Sequence, residues 1–180
     1  MIEEIVNSIN DTIAEQFQCV TGKNNIVNAY GLANTVQLIE EGTEKSYPAI
    51  IANDGECYYV FSDDKYPIGF YHRLISKTYG KAKGFGDSDI DIELCEIILI
   101  VWGFTNQIDM SALEVERQII IPSIPKEAQL VSSNFDSLSV INSEFRNINY
   151  LNRPEEFVFS VKYKVQYKFK RKCALKINCK

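Results

Sequence analysis

Few residues of this chain have the type and spacing of catalytic or metal-binding groups. The stretch Asp87-Ser88-Asp89-Ile90-Asp91-Ile92-Glu93 sets four carboxylates at alternate positions, as a calcium loop spreads its oxygen ligands. Such a loop turns on a glycine at its sixth position, where this chain has Ile92. Read as a strand, the same spacing places four acids on one wet face. Gly80, Gly84 and Gly86 lack a following Gly-Lys-Ser/Thr and lead into no helix, so they make no phosphate loop. The single histidine, His72, stands beside Arg73 at a strand end, with neither a Gly-x-Ser-x-Gly nor a Cys–His signature nearby. Cys19, Cys57, Cys95, Cys173 and Cys179 are odd in number, scattered and free of any Cys-x-x-Cys pair, which argues against a disulfide framework and against zinc. The expectation is no enzyme, no metal and no cofactor.

The most ordered chemistry in the chain is charge. Phe157, Phe159, Val161, Tyr163, Val165, Tyr167 and Phe169 alternate with Ser160, Lys162, Lys164, Gln166, Lys168 and Lys170. This is a strand with one apolar face and one lysine face. Basic and aromatic residues together suit single-stranded nucleic acid, but here they lie on opposite faces, so a specific nucleic-acid ligand is not expected. Residues 160–180 hold eight Lys/Arg and no acid, against eleven Lys/Arg and twenty-four Asp/Glu in residues 1–159. Lysines also keep an exposed strand edge soluble, and that reading competes with a meeting surface for a charged partner. Length separates the two. Residues 157–170 would span roughly 46 Å, while a compact domain of this size is roughly 40 Å across. Either the strand bends at a bulge or its end passes beyond its own domain. In the second case the end at Lys168–Lys172 meets a neighbour, and the acidic remainder of another copy is its natural complement.

The elements that must carry these residues follow from periodicity. Ile2, Ile5, Val6, Ile9, Ile13 and Phe17 form the apolar stripe of a helix over residues 2–17. Asn24, Asn25 and Gly31 mark an irregular connection. A strand over Thr-Val-Gln-Leu-Ile-Glu-Glu (35–41) is broken by Glu-Gly-Thr-Glu-Lys-Ser-Tyr-Pro, and two further strands flank Asp54-Gly55 as a hairpin. A strand over 66–76 leads into a long polar loop, residues 77–91, of the length that in compact domains is usually functional. Ile92 to Phe104 is almost continuously apolar and reads as the central strand. Ser111 and Glu114 make a capping box, with Met110 and Val115 placed as a hydrophobic staple, for a helix that stops before Pro122. Residues 123–134 read as irregular, and a short helix runs through Leu138, Ile141 and Phe145 before the last strand.

The whole is one α+β domain, 1–180, with a mixed or antiparallel sheet, an N-terminal amphipathic helix and a second helix packed on it, a long C-terminal strand, and a basic tail at 171–180. Hydrophobic content of 46% and charged content of 24% are those of a globular protein. No apolar run approaches the length of a membrane span, and the first residues lack the pattern of a signal peptide, so no membrane is expected and the protein is expected to be made in the cytoplasm. In the predicted packing, the apolar face of 157–169 meets Ile98, Ile100 and Trp102 of the central strand and the first helix.

This order of elements resembles the tail-terminator or tail-completion proteins of tailed phages and prophages. The likeness lies in the amphipathic helix, the hairpin in Pro-Ala-Ile-Ile-Ala-Asn-Asp-Gly-Glu-Cys-Tyr-Tyr-Val, the long loop, and the strand running into a capped helix (Glu93 to Ile120). It continues in Asn-Phe-Asp-Ser-Leu-Ser-Val-Ile-Asn-Ser-Glu-Phe before the last strand. The resemblance implies a non-enzymatic virion protein of the tail or neck, made in the bacterial host. It would form a ring of identical subunits, commonly six, that joins the tail tube to the head connector. Head-to-tail rings need two complementary surfaces per subunit, and the acidic body and basic strand supply them. The expected interface residues are Lys162, Lys164, Lys168, Lys170 and Arg171 on the strand side, and Lys81, Lys83, Asp87 and Asp89 in the loop. The basic stretch after Phe169 departs from the family pattern. The alternative reading is a soluble adaptor or nucleic-acid-associated accessory protein that uses the basic strand, for which salt-dependent DNA affinity would speak.

Overall fold

The computed structural model describes residues 2–24, 26–51, 56–60, 65–81, 90–147 and 153–170. It is an α+β fold. A five-stranded sheet runs in the order β1 (Val27–Leu32), β5 (Ile68–Lys81), β6 (Ile90–Phe104), β8 (Glu156–Lys170), β7 (Gln129–Asn134). Only the β1–β5 pair is parallel. A second sheet joins β2 (Asn34–Glu40), β3 (Thr43–Ile51) and β4 (Cys57–Tyr59), all antiparallel.

Helix α1 (Ile2–Thr21) docks on one face of the large sheet through Val6, Ile9, Ile13 and Phe17, all fully or almost fully buried. Each such side chain contributes about 1.5–3 kcal/mol on burial, so tertiary packing rather than helix propensity holds α1 in place. The same face receives the helical run from α2 (Thr105–Ile108) through α3 (Ala112–Val115), a π turn (Glu116–Ile120) and α4 (Ile121–Ser123). The opposite face is covered at one end by the small sheet and α5 (Ser137–Glu144), through Ala33, Val60, Val140 and Ile141 against Tyr71, Ile100, Trp102 and Val158. Because both faces are covered there, β6 is apolar on both sides. Gly69 faces Trp102 across the β5–β6 pair, and a Cβ at Gly69 would lie 2.3 Å from the indole, so only glycine fits.

Several expectations need correction. The apolar row of β8 shares its face with the odd residues of β6: Phe159 is opposite Val101, Val161 opposite Leu99 and Tyr163 opposite Ile97. Ile98, Ile100 and Trp102 lie on the other face, beside Lys162, Ser160 and Val158. Alternation shows that a strand has an apolar face, but pairing register decides which residues of the neighbour share it. The contact with α1 stands. The irregular connection around Gly31 is β1, and the stretch read as breaking β2 is the first half of β3. Glu41 (φ 50°) and Gly42 (φ 76°) form a two-residue left-handed turn that reverses the chain. Part of the irregular stretch after Ser123 is β7, an edge strand exposed along its whole length. The third helix does not stop before Pro122. It widens into the π turn, where the Ile121 amide bonds the Glu116 carbonyl, and continues through the proline. The Ser123 hydroxyl caps the Ile119 carbonyl at 2.6 Å.

Residues 77–81 and 90–91 are paired strand rather than loop, joining β5 to β6 from Lys77↔Cys95 out to Lys81↔Asp91. The segment between them, and the Asp54-Gly55 turn, lie outside the described residues.

Candidate interaction surface

β6 and β8 pair over fifteen residues each, from Ile90↔Lys170 to Phe104↔Glu156, with no shift of register. The bulge in this part of the sheet is on β5, between Leu74 and Ser76. β1 leaves β5 at His72, and β7 reaches β8 only as far as Lys164. Beyond those points the sheet runs on as an arm of three strands. β8 thus carries no bulge against β6 along its whole length.

On one face of β8, from the root of this arm outward, the lysines come together. Lys162 and Lys164 flank Glu96, which lies across the pair from Lys164, with Nζ–carboxylate distances of 3.6 Å and 3.4 Å. Both distances are long for a charge-assisted hydrogen bond, and the lysine side chains are 34% exposed. Such pairs contribute at most about 1 kcal/mol. One carboxylate is shared by two ammonium groups, so the row keeps a positive surplus. Gln166 and Lys168 continue it, exposed, and Leu94 stands between the strands on the same face, 36% exposed. Lys170 ends β8, opposite Ile90. Lys81 is exposed at the end of β5 but pairs with Asp91, on the other face of the sheet from Lys168. The structure therefore groups Lys162, Lys164 and Lys168 and separates Lys81 from them. Lys83, Asp87, Asp89 and Arg171 lie outside the described residues. Glu96 carries no signal of its own in the sequence; it is the last acid before the apolar run that starts at Ile97.

The opposite face of the arm is a closed polar cluster. Asp91 and Glu93 are buried there, not on a wet face. Lys77 Nζ lies 2.7 Å from Glu93 Oε1, and the Cys95 thiol donates to the same oxygen at 3.5 Å. Burial pushes the Glu93 carboxyl up, but hydrogen bonds from Lys77, Tyr167 and Cys95 outweigh it and hold it below its usual range. Burial raises the Cys95 thiol and the Tyr167 hydroxyl, so neither ionises readily.

His72 is not at a strand end but within β5, completely buried. Its Nε2 is 2.8 Å from Asn10 Oδ1 on α1, and its Nδ1 is 2.8 Å from the Tyr163 hydroxyl on β8. Asn10 Nδ2 donates to the Tyr30 carbonyl at 3.3 Å, which turns its oxygen toward the imidazole. Nε2 therefore carries the proton, and Nδ1 accepts from Tyr163. Desolvation lowers the histidine pKa to about 3, so the ring is neutral. On the other face, Arg73 Nε and Nη2 donate to Glu144 Oε2 and Oε1 at 2.9 and 2.6 Å, and the Tyr71 hydroxyl donates to Oε2 at 3.0 Å. These groups pin α1 and α5 to the sheet.

Open clefts of about 450 Å³ and 370 Å³ lie near the end of α1, lined by Gln18, Lys23 and Asn24 in one and Lys23, Asp109 and Glu114 in the other. Among the described residues no cluster of His, Cys, Asp and Glu could hold a metal ion, and no helix is long and apolar enough to cross a membrane. No protein-family model matches the chain, and no curated protein matches it in sequence.

Proposed function

We propose that this chain is a non-enzymatic structural protein of a phage tail or neck. It assembles as a homo-oligomeric ring, in the role of a tail terminator or tail-completion protein between tail tube and head connector. The observation that carries this reading is the fifteen-residue β6–β8 pairing, free of any bulge, with a lysine row that its own fold barely uses. A charged surface held on a stiff sheet and paired only loosely at home is suited to a partner. The acidic remainder of the chain makes another copy electrostatically attractive. The lysines and the aromatic residues of β8 occupy opposite faces, which weighs against joint cradling of a nucleic-acid strand.

Solution mass at two protein and two salt concentrations tests the proposal. A species of six or so subunits that loosens as salt rises is expected. A monomer indifferent to salt would refute the ring, and salt-dependent DNA affinity from such a monomer would favour the accessory-protein reading. Replacing Lys162, Lys164, Lys168 and Lys170 with Gln should leave stability within about 1 kcal/mol while weakening assembly. Unfolding of that variant would show that the row serves the fold.

A further inference from the structure

We infer, resting on the ring reading above, that the β2–β3 hairpin of one copy docks on the lysine row of the next. Six of the seven residues of β2 are exposed; among them Ile39 is 79% open and Leu38 37%. The tip carries Glu40, Glu41 and Glu44, all exposed, against the single Lys45, whose Nζ donates to Glu40 Oε2 at 2.7 Å. The tip thus holds a surplus of two negative charges beside an isoleucine that the subunit leaves in water.

The arm presents the converse. Lys162, Lys164 and Lys168 stand against one Glu96, with Leu94 among them. Ile39 lies across the pair from Glu44, on the face opposite the Glu40–Lys45 ion pair, with Glu41 at the turn, and Leu94 lies between Lys164 and Lys168 on the arm; each is an apolar side chain beside unpaired charge, and the two signs are opposite. The row has room for the hairpin edge: Lys162 to Lys168 covers about 20 Å, and Val36 to Glu40 about 13 Å. The hairpin is fixed to its own subunit close to its tip. Ser46 and Arg146 exchange backbone bonds at 3.2 and 3.0 Å, and Asn147 Nδ2 donates to the Glu44 carbonyl at 2.8 Å. Two different surfaces on one subunit give a head-to-tail contact, the kind that closes a ring.

A charge exchange tests the docking. Glu41→Lys with Glu44→Lys gives a hairpin variant, and Lys164→Glu with Lys168→Glu a strand variant. Each alone juxtaposes like charges, and its half-assembly concentration should rise roughly tenfold or more. In an equimolar mixture every junction joins opposite charges, and assembly should return to near the wild-type concentration. Sedimentation velocity reads the outcome. Lys164→Gln with Lys168→Gln, which adds no repulsion beside Glu96, should weaken assembly to a lesser degree and covers the case of a strand variant that fails to fold. A hairpin variant that assembles like wild type overturns the docking and leaves the ring standing. Loss in both variants without recovery on mixing also overturns it. A wild-type chain that stays monomeric at every concentration overturns docking and ring together.

Discussion

Acidification should weaken this fold in part through one buried histidine. His72 is buried and neutral, with a pKa lowered to about 3 by desolvation, whereas in the unfolded chain it titrates near 6.5. Between those values the unfolded state takes up a proton that the folded state refuses. The histidine therefore costs nothing above about pH 6.5, and stability falls as pH drops from there toward 3. Each unit within that window is worth about 1.4 kcal/mol, so the loss from pH 6.5 to 4.5 is about 2 kcal/mol, allowing for half-protonation at the start. Urea unfolding at pH 7.5, 6.5, 5.5 and 4.5 measures it, on wild type and on His72→Gln. Carboxylates titrate in both proteins, so the difference between the two pH slopes isolates the histidine. Equal slopes would mean that the folded protein admits the proton, and the account of the Asn10–His72–Tyr163 bridge would be wrong.

Two local predictions go with this. Gly69→Ala forces a methyl group against Trp102 and should cost about 1–3 kcal/mol, whereas Gly80→Ala, whose Cβ meets open space, should leave the urea midpoint nearly unchanged. Ser111→Ala removes a capping box in which Ser111 Oγ accepts from the Glu114 amide at 3.3 Å and Glu114 Oε2 accepts from the Ser111 amide at 2.8 Å. It should lower stability by about 1 kcal/mol, with Ser111→Asp recovering most of the loss.

The elements legible in the sequence are those with a buried face. The stripe of α1, the unbroken apolar run of β6, the alternation of β8 and the cap at Ser111 each leave a pattern because burial or backbone satisfaction demands particular residues. β7 left none. Gln129–Asn134 is exposed throughout, so nothing constrains alternate positions. β1 is held by parallel pairing to a strand some forty residues away, a contact with no local signature. The start of β3 is polar and contains Pro48, yet it pairs with β2 because the turn at Glu41-Gly42 fixes the register. The polar cores were hidden for a related reason. His72, Asn10 and Tyr163 are ordinary residues until three distant segments meet. For the candidate surface, the lysine row was visible and its placement with Glu96 was not, since the latter depends on the register of two strands.

The position of β8 has a consequence for how the chain is made. β8 is the last described strand in sequence, yet it sits between β6 and β7. During synthesis β6 emerges with one edge unpaired, and β7 follows with no strand beside it. Both wait for residues 156–170, which also supply Phe159, Val161 and Tyr163 to the core. Domains ordinarily settle from the N-terminus as they leave the ribosome, but this sheet can close only when its final strand slides into a prepared gap. A nascent chain stalled before Glu156 would present the β6 edge and half an apolar core to its neighbours, a state prone to aggregation.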